Sequence, residues 1–463
     1  MLEEQLKKFF DYEYFRPGQK EVISSLMEGK DTLAILPTGT GKSLCYQMTG
    51  YLKEGLVLIV SPLISLMEDQ VDSLLRLGEK RAIAINSTLQ NSEKEFVLQH
   101  LKKYKFVFLS PEMLVQEKVI DTLRKQKIAL FVVDEAHCIS QWGIDFRPEY
   151  RNLGLIKEKL GSPLTLALTG SATKKVKHEI LQLLLTQDAN EIVYSMDRPN
   201  IALFVHQTAS KYEDLRELME KCPGPGLIYC ATRKQVETLY SSLKNDFSLG
   251  FYHGGLTSNQ RRMLQKQFND DQLQFLIATN AFGMGIDKGN ICRIIHYDLP
   301  DSLENYLQEI GRAGRDGSLS DAILLYKEGD EKIHYYFQQK TKQQRQMFET
   351  ALGNGRTINK EDIQQKWLEQ GRLEGMATFR QRLEVNEEQK YKKLMQMLDY
   401  IKDKGCHRHF LMTYFQEKQT KNPENCCDFH GAKLIEKTVG EKQVVNENLA
   451  WQEILLKLFK TEN

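Results

Sequence analysis

A short glycine-rich segment carries the residues best suited to chemistry. The run LAILPTGTGKS places an apolar, strand-like stretch before Thr38, Gly39, Thr40, Gly41, Lys42 and Ser43. Glycines let backbone N–H groups wrap around phosphate oxygens, and a helix that begins here adds the positive end of its dipole. Lys42 is suited to the β- and γ-phosphates, and Ser43 to Mg²⁺. The segment therefore predicts a nucleoside triphosphate site, although Leu36 replaces the usual first glycine.

A pair of carboxylates follows the apolar run IALFVV. Asp134 and Glu135 stand where this predicted strand ends, and ligands of parallel α/β sheets bind at the carboxyl ends of strands. Asp134 is suited to Mg²⁺, directly or through water, and Glu135 to orienting or deprotonating an attacking water. An acid-rich helix cap is the alternative for the pair alone. The phosphate-loop pattern about 90 residues upstream favours catalysis.

Both features need a scaffold that presents strand ends. From about residue 30 to 335, the apolar runs TLAIL, LVLIV, FVFLS, ALFVVDE and TLALTG alternate with longer amphipathic stretches. This pattern is typical of βαβ units around a parallel sheet. A second series, GLIYC, FLIAT, RIIHYD and AILLY, begins after the polar stretch at 196–201. We therefore predict two α/β domains, residues 1–200 and 201–335.

The rest of the chain reads as helical. Its composition shifts to Gln, Lys and Glu, and Leu394, Met397, Leu398 and Ile401 recur at helical spacing. We predict a helical subdomain over residues 336–430. A short tail, 431–463, follows, in which one predicted helix carries an apolar stripe that is expected to dock on the body of the protein. The stripe consists of Trp451, Ile454, Leu455, Leu458 and Phe459.

Composition excludes several classes of protein. With 463 residues, 27% charged and 41% hydrophobic, the chain has room for about two to four domains and is neither disordered nor fibrous. No apolar run approaches the roughly 18 residues that cross a bilayer, and the acidic start argues against a signal peptide. A cytoplasmic protein with no membrane partner is expected. The formal charge is only +1, so attraction to phosphates must come from local clusters.

Four segments in order, TGTGKS, DEAH, TGSAT and QEIGRAGR, resemble the motifs of superfamily 2 helicases. The segments FRPGQ at 15–19 and DEAHCISQWG at 134–143 narrow the resemblance to RecQ-like DNA helicases, over roughly residues 5–335. The resemblance implies two tandem RecA-like parallel-sheet domains followed by a small, mostly helical, zinc-binding subdomain. It implies a short form without the winged-helix and C-terminal helical domains of larger relatives.

The resemblance also implies roles in the nucleotide site. Tyr12 would stack on adenine while Arg16 and Gln19 bind its edge, which implies ATP as the nucleotide. Arg312 and Arg315 would reach the γ-phosphate from the second domain. A guanidinium suits that role because it is always charged and its planar fork matches phosphate oxygens. The TGSAT segment would link nucleotide state to domain movement.

Small residues at two predicted strand ends are candidates for contacts with a single DNA strand. Ser61 and Pro62 follow LVLIV, and Thr279 follows FLIA. Hydroxyl groups there can hold phosphates without reading sequence. The alternative is ordinary strand-to-loop chemistry, and the resemblance supports the DNA contact.

A second DNA-contacting group is predicted directly after the carboxylates. Trp142, Phe146 and Arg147 lie there, and aromatic rings and guanidinium groups can stack on bases of any identity. A Trp and a Phe this close together are also common in a core. The resemblance favours DNA.

Three of the eight cysteines crowd near the end of the chain. Cys406, Cys426, Cys427 and His430 would make a three-cysteine, one-histidine zinc site. RecQ-like proteins typically carry four cysteines in this region, but Glu424 stands where a further cysteine is expected. The alternative is a degenerate site held by packing alone.

The resemblance implies an ATP-dependent DNA helicase with 3′–5′ polarity that acts on single strands and duplex junctions in repair or recombination. A monomer is expected, with a single-strand-binding or repair protein as a further partner. The alternative is an ATPase that is stimulated by nucleic acid and remodels nucleoprotein complexes without efficient unwinding. An inactive scaffold is disfavoured because Lys42, Asp134, Glu135 and Arg315 are all present. The choices of DNA over RNA and of polarity rest on the resemblance alone.

Overall fold

The computed structural model describes residues 2–86, 89–141, 148–282, 288–353, 363–417 and 422–436. Within these ranges the chain forms two parallel β-sheets followed by a helical region. The predicted fold class, two parallel-sheet domains and a mostly helical subdomain, is confirmed.

The first sheet has seven strands. They are Thr32–Ile35 (β1), Leu56–Val60 (β2), Ala82–Ile85 (β3), Phe106–Leu109 (β4), Ile128–Val133 (β5), Thr165–Thr169 (β6) and Asn190–Val193 (β7). Their order in the sheet is β3-β4-β2-β5-β6-β1-β7, and all neighbouring pairs are parallel. Strands β1, β2, β4 and β6 are buried throughout, because helices cover both faces of a parallel sheet of this type.

Helices of the first domain surround this sheet. They are Leu2–Phe10 (α1), Gln19–Met27 (α2), Ser43–Leu52 (α3), Ile64–Arg76 (α4), Asn91–Gln99 (α5), Pro111–Leu114 (α6), Glu117–Arg124 (α7), Cys138–Gln141 (α8), Leu153–Lys159 (α9) and Lys174–Leu184 (α10). The connection from β1 to α3 is the glycine-rich segment, and the connection from β5 to α8 contains the carboxylate pair.

The second sheet has six strands in the order β10-β11-β9-β12-β13-β8, again all parallel. They are Ile201–Gln207 (β8), Gly226–Tyr229 (β9), Leu249–Tyr252 (β10), Phe275–Ala278 (β11), Arg293–His296 (β12) and Ser320–Tyr326 (β13). Its helices are Lys211–Glu220 (α11), Arg233–Leu243 (α12), Ser258–Asn269 (α13) and Leu303–Ile310 (α14). Threonine hydroxyls cap α12 and α13, as expected for helix starts.

The helical region packs against the second domain. It consists of Lys332–Gly353 (α15), Ile363–Glu374 (α16), Met376–Lys402 (α17) and His407–Tyr414 (α18). The predicted apolar stripe of α17 is buried in the same core as the β8, β9 and β12 side chains. Among the described residues, no helix combines the length and the apolar character that a membrane crossing needs.

The two domains also touch through α4 and α13. Gln265 Nε2 donates to Asp69 Oδ2 over 2.7 Å, and Arg262 lies 3.8 Å from Glu68. The predicted apolar stripe of the tail lies outside the described residues, which end at residue 436.

Candidate functional site

Three chemical segments meet at one edge of the first sheet. Strand β6 lies between β5 and β1, so the segments that follow these strands are neighbours. Leu36 N donates to Thr169 O over 3.1 Å, and Ala136 N donates to Leu168 O over 2.8 Å. The phosphate loop, the carboxylates and the TGSAT segment therefore share one carboxyl edge, where parallel α/β sheets bind ligands.

The phosphate loop is braced from outside by α2 and the residues before it. Gly39 and Gly41 have φ angles of 83° and 70°, a left-handed backbone that glycine adopts without strain. Arg16 Nη1 donates to Gly39 O over 2.5 Å. Gln19 Nε2 donates to Thr40 O at 2.8 Å and to Gly41 O at 3.0 Å. These bonds use loop carbonyls and not the loop N–H groups, which are the groups that bind phosphate.

The predicted adenine contacts lie beside this loop. Tyr12 is 56% exposed, and its ring is nearly parallel to Phe10 at 6.4 Å between centroids, so one face is open to a base. Gln19 is only 2% exposed, and its Oε1 accepts from Arg16 N over 2.8 Å. The Gln19 amide is thus engaged by backbone on both sides, and its contact with the adenine edge stays a prediction.

Burial and neighbouring charges shift the pKa values of the ionisable side chains at this sheet edge. Burial lowers the pKa of Lys42, and the carboxylates of Glu135 and Asp134 oppose that shift. Burial and repulsion from Glu135 raise the pKa of Asp134 to about 7. Burial favours neutral Glu135, but a hydrogen bond from His137 and nearby cations lower its pKa to about 2. Glu135 is therefore ionised at neutral pH, while Asp134 ionises fully when a cation binds beside it.

His137 links the carboxylates to the TGSAT segment. Its Nδ1 lies 3.0 Å from Thr169 Oγ1 and 3.3 Å from Glu135 Oε2, and the ring is fully buried. Burial opposes protonation, but the Cys138 sulfur and the Glu135 carboxylate raise the pKa of His137 to about 10. His137 thus joins Glu135 to Thr169 of the TGSAT segment through one ring nitrogen.

Gln308 of α14 reaches this histidine from the second domain. Its Nε2 lies 3.2 Å from His137 Nε2 and 3.2 Å from Ser171 Oγ. In this orientation the Gln308 amide nitrogen donates to the Ser171 hydroxyl and faces the second ring nitrogen of His137, which accepts from it when the ring is neutral. One side chain of the second domain thus touches both the DEAH and the TGSAT segments.

The loop after α14 brings arginines to the phosphate loop. Thr38 Oγ1 donates to Gly311 O over 3.0 Å. The Arg315 side chain packs directly against Gly39 of the phosphate loop. A Cβ atom at Gly39 would lie only 2.8 Å from Arg315 Cγ. Arg312 is 5% exposed, and within the described residues its Nε and Nη1 have no hydrogen-bond partner. Its charge also lowers the pKa of Glu135. These buried guanidinium N–H groups are suited to donate to the oxygens of a triphosphate.

The four predicted metal ligands converge. Cys406, Cys426, Cys427 and His430 each offer one ligand atom, and these atoms lie within 4.8 Å of one another. Cys406 Sγ is 3.8 Å from both other sulfurs, and Cys427 Sγ is 3.4 Å from His430 Nδ1. Burial raises the pKa of Cys426 to about 12 and also raises that of Cys427. A cation would offset this cost, because thiolate is the coordinating form.

Three family models match the chain. They are DEAD/DEAH box helicase over residues 16–179, helicase conserved C-terminal domain over 210–317, and RecQ zinc-binding over 338–430. Together they cover the phosphate loop, the arginine loop and the cysteine cluster.

Two bacterial relatives align over nearly the whole chain. The probable ATP-dependent DNA helicase RecS of Bacillus subtilis (strain 168) is 41% identical over 488 residues, which cover 100% of this chain and 98% of that protein. The ATP-dependent DNA helicase RecQ of the same organism is 36% identical over 446 residues, which cover 95% of this chain and 68% of that one. The chain belongs to the RecQ family of ATP-dependent DNA helicases.

Solved structures share the fold. The DUF1998 helicase MrfA bound to DNA and AMPPNP superposes with a TM-score of 0.60 at 20% identity, covering 73% of this chain and 52% of that one. As a RecQ-family enzyme the chain hydrolyses ATP and is a DNA helicase. Its helicase domains imply ATP together with a metal ion.

The predicted DNA contacts of this RecQ-family chain are only partly described. Ser61 and Pro62 follow β2 and Thr279 follows β11, but all three are buried. Ser61 Oγ has no hydrogen-bond partner within the described residues. A contact with a DNA phosphate therefore needs a local opening at these strand ends. The other group, Trp142, Phe146 and Arg147, lies outside the described residues.

Sequence reasoning missed Arg198, Gln308 and Arg408, which connect the RecQ-family domains. Arg198 lies in the stretch taken as a polar linker, and Gln308 stands inside QEIGRAGR. Their partners are more than 100 residues away. For Arg198 the available signal was a charged side chain in a polar stretch between the two series of strands. Gln308 and Arg408 lie inside the helices α14 and α18 and gave no such signal.

Proposed function

We propose that this chain moves along single-stranded DNA with 3′–5′ polarity, driven by ATP, and unwinds duplex DNA during repair or recombination. The observation that carries the proposal is a single cleft between two domains. The first domain supplies the phosphate loop and carboxylates, and the second supplies Gln308, Arg312 and Arg315. A cleft built from two halves closes and opens with nucleotide state, which moves one DNA-contacting domain against the other.

Nucleotide binding begins with ATP against the exposed face of Tyr12. Loop N–H groups and Lys42 hold the phosphates, since the loop carbonyls are already bonded by Arg16 and Gln19. Lys42 lies beside Asp134 and Glu135, whose charges oppose the lowering of its pKa by burial. A triphosphate adds further negative charge at the same place.

Hydrolysis relies on the unequal carboxylates. Mg²⁺ held by Ser43 and Asp134 would neutralise charge on the β- and γ-phosphate oxygens. Glu135 is a weak base, because its pKa is lowered to about 2. As an ionised carboxylate it accepts a hydrogen bond from the attacking water, which orients the water and can also draw off its proton.

Charge that develops on the γ-phosphate is met from the second domain. The Arg315 side chain lies against the phosphate loop, and the Arg312 charge lowers the pKa of Glu135. Two guanidinium groups there would stabilise the transition state electrostatically. When phosphate leaves, these groups lose their anionic partner. The contact from Gln308 to His137 offers a second link by which the carboxylates sense domain position.

Zn²⁺ is the proposed metal of the cysteine cluster, because three sulfurs and one imidazole within 4.8 Å match a closed tetrahedral site. Its role would be structural, because these four residues would fill all four coordination positions. The DNA strand is proposed to cross Ser61, Pro62 and Thr279 and to stack on Trp142, Phe146 and Arg147, with the last three coupling DNA to ATP turnover.

Strand displacement tests the proposal. Duplexes with a 3′ or a 5′ single-stranded tail, in DNA and in RNA, are mixed with protein and ATP, and Lys42→Ala serves as the inactive control. We expect displacement of 3′-tailed DNA only, and none by Lys42→Ala, because loss of the lysine weakens phosphate contacts.

Each other outcome has a defined meaning. ATP hydrolysis that single-stranded DNA stimulates without displacement would support the translocase that remodels nucleoprotein complexes. Displacement from 5′ tails would refute the polarity, and displacement of RNA would refute the choice of DNA.

A further inference from the structure

Arg198 joins the two halves of the ATP cleft. Its Nη1 donates to Thr38 O over 2.9 Å and to Gly311 O over 3.2 Å. Its Nη2 donates to Ala313 O over 3.0 Å and to Gly314 O over 2.6 Å. One carbonyl belongs to the phosphate loop, and three belong to the loop that presents the catalytic arginines. Arg198 therefore holds these loops at a fixed separation without touching the reacting atoms.

A guanidinium is suited to this task. Four carbonyl oxygens must be bonded by two terminal nitrogens in one plane, and arginine presents such a fork. A lysine ammonium has three donors at one point and cannot span both loops. Asn200 supports the same loop by donating to Gly314 O at 2.9 Å and to Ser318 O at 2.7 Å.

The helical region forms hydrogen bonds with the chain segment on the amino-terminal side of Arg198. Glu417, which follows α18, accepts from Ser195 Oγ over 2.5 Å and from Met196 N over 3.0 Å. These bonds fix the chain two and three residues before Arg198.

A buried arginine of α18 forms hydrogen bonds with the same chain segment on both sides of Arg198. Arg408 is 2% exposed and donates to the Asp197 carboxylate and to the carbonyls of Arg198 and Ile201. It lies two residues after Cys406, whose sulfur caps α18 by accepting from His409 N at 3.3 Å. The metal-ligand cluster and the ATP cleft are thus connected through one continuous set of hydrogen bonds.

We propose that Arg198 is a positioning residue for ATP hydrolysis, and that the metal-binding subdomain sets its position by holding residues 195–201. The inference rests on the proposed function, because it assumes that Arg312 and Arg315 act on the γ-phosphate. Arg198 carries the loop of these arginines to the phosphate loop, so its loss leaves nucleotide bound but badly oriented for attack.

The first experiment separates turnover from binding. ATPase at saturating single-stranded DNA is measured for wild type, Arg198→Ala and Arg198→Lys, and ADP affinity is measured by fluorescence. We expect Arg198→Ala to lower kcat by about 10²-fold, the cost of a misplacement of about 1 Å, with KM and ADP affinity changed less than threefold. Arg198→Lys should recover only part of the loss. Arg216→Ala, which removes an exposed arginine of the second domain, is the matched control and should behave as wild type.

The second experiment tests whether the hydrogen bonds from the metal-binding subdomain to residues 195–201 affect ATP hydrolysis through Arg198. Glu417→Ala should lower kcat by about threefold to tenfold, the worth of one or two hydrogen bonds. If both residues act through one path, Glu417→Ala added to Arg198→Ala should cause no further fall. A multiplicative fall in the double variant would overturn the role of the subdomain.

The outcomes remain separable from those of strand displacement. An Arg198→Ala enzyme with wild-type kcat, or with loss of ADP binding alone, would overturn the positioning role whether or not the wild type unwinds duplexes. If Arg198→Ala fails to fold, as judged by its melting temperature, the same criteria apply to Arg198→Lys and Glu417→Ala.

Discussion

The two parallel sheets share an architecture but differ at their carboxyl ends. In the first sheet these ends carry the phosphate loop and the pair Asp134 and Glu135, whose pKa values are shifted to about 7 and about 2. In the second sheet the ends are tied to each other: Ala231 N, after β9, donates to Asp298 Oδ2, after β12, over 2.8 Å. The carboxylate that follows β12 is therefore bonded to a neighbouring strand end, whereas Asp134 and Glu135 face the charge of Lys42 in the phosphate loop.

The second sheet contributes through a helix end instead. Gly311 and the arginines that follow α14 reach across to the phosphate loop. Equivalent folds thus perform different parts of one reaction because the loops differ, not the strands. The comparison predicts that second-sheet changes affect chemistry alone, whereas first-sheet changes affect binding where the residue holds phosphate and chemistry where it faces the attacking water.

Arg315→Ala is the sharpest test of the second sheet. We expect kcat to fall by about 10³–10⁵-fold, the range for arginines that act across a cleft in phosphoryl transfer. Nucleotide affinity should stay within about threefold, because the contact strengthens mainly in the transition state. Single-turnover hydrolysis and fluorescent ADP binding measure the two effects, with Arg216→Ala as the control. Loss of nucleotide binding without a fall in kcat would contradict the division of roles between the two sheets.

Glu135→Gln tests the first sheet with a somewhat smaller expected effect. The amide keeps the shape but loses the charge that orients water, so turnover should fall by about 10²–10⁴-fold while ATP still binds. Trapping of unhydrolysed ATP on a filter distinguishes this result from a folding defect. Glu158→Gln, an exposed carboxylate of α9, should leave both quantities unchanged. Near-normal turnover by Glu135→Gln would remove the basis for an ATP-driven motor at this site.

The strands predicted from the sequence are the interior strands of the two sheets, and the edge strands were missed. The nine predicted apolar runs correspond to β1, β2, β4, β5, β6, β9, β11, β12 and β13. The four missed strands, β3, β7, β8 and β10, are the edges of the two sheets. An edge strand pairs on one side only and is less completely covered, as in the alternating burial of β7. Strand β7, NEIV, accordingly lacks the continuous apolar run that marks a strand buried on both faces. Strands β3, with AIAI, and β8, with IALFV, do carry such runs but were not predicted as strands.

Site residues divide in a similar way. Residues within contiguous motifs, such as Lys42, Asp134 and Arg315, could be located because local spacing reflects loop geometry. Arg198 and Gln308 could not, because their contacts join segments 160 and 171 residues apart. Such contacts depend on how the two domains meet, and periodicity within one segment carries no information about that.

The cysteine cluster gives the smallest expected effect on catalysis. Its strongest link is to the second sheet: Leu203 N of β8 donates to Cys426 O over 3.1 Å, and Leu203 pairs with Cys427. Elemental analysis of protein purified without chelator should find about one zinc per chain. Cys406→Ala should lose the zinc and lower the free energy of unfolding of the second domain by more than about 4 kcal/mol, as expected for loss of a structural metal.

Hydrogen exchange locates that loss. In Cys406→Ala we expect protection to fall in β8 and β13, which pair directly, while β1 and β5 of the first sheet keep theirs. ADP affinity should change less than twofold, since the phosphate loop belongs to the first domain. Cys292→Ala is the matched control, because Cys292 is a half-buried cysteine of the second domain outside the cluster. A stable, metal-free wild type would show that the cluster is vestigial. Equal loss of protection in both sheets would mean that the two domains unfold as one unit. The two sheets would then differ in their roles in ATP hydrolysis but not in their stability.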